Sequence, residues 1–597
     1  MLGKLLKSHQ IIKWLVISAA GFLVVFGSVS LYMNIWVKPI LAKQVKQLVA
    51  STTENLYHIE FSGITVNCLT GDASLSQVRF VPDTLVLKKL IAAQRAPNNI
   101  YHIELEKLSI RNVHPFRVYF KRRLTIDRII INHPKITMVN KQYEYNENRP
   151  PRPLQSPFDF VSKYLKEVRV TSIDFNEVSF KYIDNNHEVP VIDSLQHLNV
   201  SLKDWLIDAN SAQDTTRLYL LKDIRLQLSD YSFATADSMY HVKAHEINFS
   251  SATGNLKINN LALVPRYAEM AFSKVVGYSK DRFNIHLNDV ELKGLDLPLF
   301  VKKQELLARE MNIRNGHVAV FNNNEIPGKD TIKTGQDPHQ LLQKLPGKLT
   351  LRKVSLHNLD VSYAEYDRNS KQKGRISFEQ TSGTITNITN VDKEKKKNQF
   401  MEIRLNTLLM GQGRMQTHFK FDLLAKDGAF SYSGRLNGLN GGVLNGVTKP
   451  LGMMHIKSGA VQELKFNIKA NSSRAQGNMA FKYDDLAIAV LKREEGSGGF
   501  SRQGLLSLLA NTVVINPANP NASGVFKPAK IDYERKPNRS FFNFIWKTLF
   551  QGIRHSVGVT PQKEAYIKAQ LAKFEKMKAD REKRKQAREK RKQNKRI

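Results

Sequence analysis

Catalysis needs acids, bases or nucleophiles held together, and this chain offers few such groupings. A carboxylate pair stands at Asp484-Asp485 in the stretch MAFKYDDLAIAVL. Two carboxylates that shared a proton or a metal could do acid–base work, but adjacent strand residues point to opposite faces. Sixteen histidines are scattered along the chain. Two of them, His58 and His241, recur in Tyr-His pairs with no acid or second histidine in step, which reads as strand surface rather than a ligand set. The single cysteine, Cys68, excludes an intramolecular disulfide and any multi-cysteine metal site. Phosphate-cradling glycine loops, nucleophile elbows and zinc-type spacings are missing from the sequence. The expectation is a protein that is not an enzyme and uses no cofactor and no metal.

What the sequence repeats is surface. Residues 57–82, YHIEFSGITVNCLTGDASLSQVRFVP, are answered 183 residues later by YHVKAHEINFSSATGNLKINNLALVP at 240–265. Apolar alternation and turn residues recur; acids and bases do not. The segment VTSIDFNEVSFKYID (170–184) shows the pattern. Ile173 and Phe175 alternate, the phase slips at Asn176-Glu177, and Val178, Phe180 and Tyr182 resume it, as a bulge or tight turn would require. Val354, Leu356, Leu359, Val361 and Tyr363 repeat the series. Pro157 and Pro338, 181 apart, each precede a short amphipathic helix pattern. Units that stack side by side do so because each alone leaves an apolar face uncovered.

The formal charge is +36, and residues 527–597 carry 22 Lys+Arg against 7 Asp+Glu. That balance favours anionic partners, phospholipid or another anionic lipid ahead of nucleic acid, because the tail lacks the interleaved aromatics of a single-strand binder. Between Lys13 and Lys38 stand 24 residues without a charge. As a helix they span about 36 Å, enough for a hydrocarbon core of about 30 Å. Trp14, Tyr32 and Trp36 sit near the ends, where aromatic belts belong. A retained inner-membrane anchor is expected, with residues 1–13 in the cytoplasm and the body on the other side.

The expected organisation runs as follows. Residues 14–37 span the membrane, 38–56 form a juxtamembrane helix, 57–239 and 240–420 are two copies of a β unit, and 421–495 is a third β region. Residues 496–539 read as linker, 540–558 as an amphipathic aromatic helix and 559–597 as a basic helical tail. In the helix, Phe541, Phe542, Phe544, Ile545, Trp546, Leu549, Phe550 and Ile553 oppose a basic side with Lys547 and Arg554. Such a helix suits a membrane interface, and equally a cap on the end of a β array.

The third region carries the clearest likeness. Its strands are spaced by glycines, with the Ser458-Gly459 turn, Gly477 and the close Tyr483-Asp484-Asp485-Leu486, and a short helix is expected before Pro450. Together with the anchor, the helix after it and the Thr70-Gly71 turn, it resembles the AsmA-like family of Gram-negative envelope proteins over residues 1–495. The resemblance implies an all-β body with minor helices: an elongated, curled sheet forming a groove with an apolar inner face. It also implies a periplasmic body that carries or buffers phospholipid between inner and outer membranes, with the tail reaching the outer membrane or a partner protein there. Candidate groove-lining residues are Ile173, Phe175, Val178 and Phe180 in the first copy, and Val354, Leu356, Leu359 and Val361 in the second. The rival expectation is a scaffold for outer-membrane protein assembly, binding strands at its sheet edges.

Overall fold

The computed structural model describes residues 38–67, 70–147, 157–211, 213–329, 331–493, 500–502 and 515–559, with scattered positions as far as 580. The expected span with Trp14, Tyr32 and Trp36, the stretch before it, and nearly all of the basic tail lie outside the described residues. Among the described residues no helix is long and apolar enough to cross a membrane. The chain is mostly β, with its strands in one large mixed sheet. It divides into two compact units, Met1–Tyr231 with Ala244–Lys257, and Ser232–Lys243 with Ile258–Ile597.

The first unit opens on helix Lys38–Thr52 and the strands Tyr57–Glu60, Gly63–Asn67 and Asp72–Pro82. Gly71 makes the tight turn between the last two: its φ is +68°, and a Cβ there would meet the Val113 carbonyl oxygen at 2.2 Å. Strand Asn99–Val113 pairs antiparallel with both Arg123–Asn132 and Lys135–Asn140. Those two then run parallel to Glu167–Asp184. A parallel neighbour needs a long crossover, and helix Pro157–Val161 lies in it.

In the second unit Glu305–Asn323 likewise runs parallel to Lys348–Tyr366, with helix Pro338–Gln343 in the crossover. From Lys348 onward the strands form an antiparallel meander through Lys373–Thr389, Phe400–Leu409, Gly413–Asp422, Phe430–Asn440, Met454–Ala470 and Arg474–Arg493. The ladder passes residue 420 without a break. Helix Asn445–Gly452 stands where a helix was expected, and includes Pro450 in its last turn.

Backbone bends recur between the copies more faithfully than side chains do. Positive φ appears at Gly71 and Gly254, Gln77 and Asn260, Arg122 and Gln304, His133 and Asn315, Glu177 and Asn358, and His197 and Gln380, each pair 181–183 residues apart. Only the first pair is glycine twice. The phase slip read at Asn176-Glu177 is the Glu177 bend, where pairing shifts between Phe175 and Val178; its counterpart at Asn358 shifts pairing between Leu356 and Leu359. Such bulges turn the next residues back onto the same face.

The Tyr-His pairs are explained by their tyrosines. Tyr57 stacks on Phe80 at 4.4 Å, and its hydroxyl accepts the Tyr101 amide at 3.1 Å. Tyr240 lies 5.5 Å from the Phe272 ring and accepts the Phe283 amide at 3.2 Å. His58 points outward, half exposed, 3.8 Å from Glu60.

The stretch read as linker holds a strand. Ala529–Glu534 pairs antiparallel with Arg474–Arg493, with Ala529 and Ile531 buried and Tyr533 packed against the core. The charged residues between them face outward, and that alternation is a strand pattern rather than a linker pattern.

Candidate functional site

In the first unit, alternation becomes a two-faced sheet. Leu75, Leu108, Ile131, Phe175, Val200 and Leu226 stand in one cross-strand row. A second row runs Ala73, Ile110, Ile129, Ile173, Leu202 and Ile224. One residue along each strand, the opposite face presents Ser74, Ser109, Ile130, Asp174, Ser201 and Arg225. In the first apolar row only Leu75 is buried; the other five are half-buried. Leucine and isoleucine in a closed core are usually buried completely. These rows therefore leave apolar area that another apolar group can cover.

The polar face has its own centre at Asp174, 5% exposed. Burial alone would raise its carboxyl. Hydrogen bonds from Ser201, Arg128 and Ser172, with the Lys203 charge, outweigh that and hold it down at about 2. In the second unit Ser355 stands at the matching register, and Glu310 pairs with Lys353 at 3.5 Å. Each unit therefore carries an ion pair on this face, at positions that do not correspond one to one.

The second unit has an apolar row of its own. Met311, Val354, Ile385, Ile403, Phe419 and Tyr432 form a row that continues to Ile468. Ile385, Ile403 and Phe419 are half-buried, whereas Tyr432 and Ile468 are 1% and 0% exposed. The difference is helix Phe541–Ser556. Ser540 caps it by accepting the Asn543 amide at 3.3 Å. Its inward side, Phe541, Phe544, Thr548, Gly552 and Ser556, is buried. Phe541 meets Phe430 at 5.4 Å between ring centres. Gly552 is needed for close approach: a Cβ there would lie 2.7 Å from Ile531 Cδ1 and 2.9 Å from Met479 Cε.

Arg535 secures the segment leading into that helix. Its side chain is 1% exposed and pairs with Asp337, 0% exposed, at 2.9 Å. It also donates to the carbonyls of Ser472 at 3.2 Å and Arg539 at 3.0 Å. Its guanidinium carbon sits 5.1 Å from the centre of the Phe544 ring. No local sequence signal points to this pair, whose members are 198 residues apart.

The expected residues sort as follows. Ile173 and Phe175 stand in the apolar rows of the first unit, with Val178 and Phe180 beyond the bulge opposite Leu198 and Leu195; Val354 stands in the row of the second unit, with Leu356 two residues on and Leu359 and Val361 beyond the bend at Asn358. Val178, Val354 and Leu359 are buried; the other five are half-buried. The structure divides the aromatic side expected of the C-terminal helix between core and solvent. Phe541 and Phe544 belong to the core, Ile545, Leu549 and Ile553 pack against it, and Phe542 and Trp546 are exposed. Lys547 is exposed as well, with Phe550 and Arg554 half-buried. The Asp484-Asp485 pair is split by a positive φ at Asp485, and the Asp484 carboxylate accepts from Gln462. Among the described residues no group of three or more His, Cys, Asp or Glu could hold a metal ion. Comparison with protein-family models and with curated proteins returns no match for the chain.

Proposed function

We propose that the two apolar sheet faces are the working surface, and that they hold lipid acyl chains as the wall of a groove. The half-buried rows around Phe175 and Ile385 carry this reading: they are too apolar for open solvent and too exposed for a finished core. The physical need is plain. Each CH₂ taken from water is worth about 0.8 kcal/mol, so a sixteen-carbon chain resists crossing water by roughly 12 kcal/mol. A continuous apolar face removes most of that barrier without any reaction. In this reading the protein is a membrane-anchored envelope component that carries or buffers phospholipid between inner and outer membranes, and partners or gradients supply direction.

The test places a photo-crosslinking amino acid at Phe175 or Leu356 of the full chain in its native membrane. The opposite-face positions Lys203 and Arg225 serve as controls. Phospholipid adducts detected by mass spectrometry at the first pair and not at the second are expected. Adducts absent from Phe175 and Leu356, or equal on both faces, would end the proposal.

A further inference from the structure

Helix Phe541–Ser556 is fixed on one side only. Opposite its buried side, Phe542 is 73% and Trp546 43% exposed. Trp546 stacks on Phe550 at 5.8 Å between ring centres. Residues four apart lie one above the other on a helix, so 542, 546 and 550 form a single aromatic stripe. Cations rim it. Lys547 Nζ is 5.9 Å and the Arg554 guanidinium 6.0 Å from the Phe550 ring centre, and Lys536 and Arg539 stand exposed just before the helix. Not one acid occurs between Glu534 and Glu564.

We propose that this stripe docks on an anionic lipid surface, with the helix lying flat among the headgroups while its inward side stays packed on the sheet. Aromatic rings favour the boundary between headgroups and acyl chains, and the rim cations meet the headgroup phosphates. A protein partner would have to supply an acidic rim around an aromatic-lined recess; an anionic membrane presents both properties everywhere. The inward side remains in place because Phe541, Phe544 and Gly552 are built into the core and Arg535 ties down the segment before them. The docking is independent of whether the sheet faces carry acyl chains.

The test uses full-length protein held in phosphatidylcholine nanodiscs and floated with vesicles of phosphatidylcholine, with or without phosphatidylglycerol. Capture by the anionic vesicles is expected, and the double variant Phe542→Ser/Trp546→Ser should lower it about tenfold. Its melting temperature should not change, because both side chains are exposed. The basic residues beyond Gln562 add an attraction that salt screens, so the comparison is repeated at raised salt, where the variant's deficit should persist. Undiminished capture by the variant would overturn the proposal, as would equal capture by neutral vesicles. So would no capture at all, which would leave a protein as the occupant.

Discussion

Asp174 illustrates how a charge is kept on a sheet that is otherwise apolar on its other side. Its carboxyl is held at about 2 against the pull of burial, so ionised Asp174 stabilises the fold. A depressed carboxyl contributes stability that is complete above the ordinary carboxylate range and is lost as pH falls toward 2. The amount is roughly 1–2 kcal/mol after allowing for solvent screening. Asp174→Asn should therefore lower the melting temperature at pH 7. The gap to the native chain should narrow as the pH drops from about 5 to 2. A constant gap across that range would show that Asp174 packs rather than pairs. In the second unit Ser355 stands where the first has Asp174, and the ion pair on that face is Glu310 with Lys353.

The C-terminal helix and the strand before it behave as one element of the second unit. A buried ion pair gains little over apolar side chains of the same size, but removing one partner strands a charge, at a cost of about 3–5 kcal/mol. Arg535→Met alone should destabilise the second unit by that order and expose the helix to proteolysis near residue 540. Arg535→Met with Asp337→Leu should recover most of the loss. If the single and double variants melt alike, the pair is not what holds the helix. This element was partly legible beforehand. The helix period over 540–558 is legible in the sequence, whereas strand Ala529–Glu534 lies in a stretch that reads as linker. Which part of the wide apolar side faces inward was not legible, because so narrow a basic side excludes few orientations from a core.

For the whole molecule, the consequence is that the body does not end at the last long strand. A chain stopped after Phe526 would lose the Ala529–Glu534 strand and the helix that buries Tyr432 and Ile468. Each large aromatic or aliphatic side chain so uncovered costs about 1.5–3 kcal/mol. Such a truncated chain should melt at lower temperature and bind a hydrophobic dye, while the native chain should not show this dye signal at the same site. A truncated chain as stable as the full one would separate the helix from the core. The two units also predict different responses to a charge on the apolar face. Phe180→Asp replaces a half-buried side chain and should be tolerated by the fold. Tyr432→Asp, under the helix, should not; circular dichroism melts of the two variants check this.

Alternation along the chain was enough to establish strands, the bulge at Glu177 and the copied series near Asn358. These are local properties: a period of two and a phase slip can both be read within a dozen residues. Alternation and the bulge together determine which side chains of a strand share a face. Whether that face is closed or left half-open is not local. It depends on what is packed above each row, and helix Phe541–Ser556 covers Tyr432 and Ile468 while Phe175 and Ile385 remain half-buried. The Asp337–Arg535 pair and the strand inside the expected linker belong to the same class, because their partners lie far away in the chain and only folding brings them into reach.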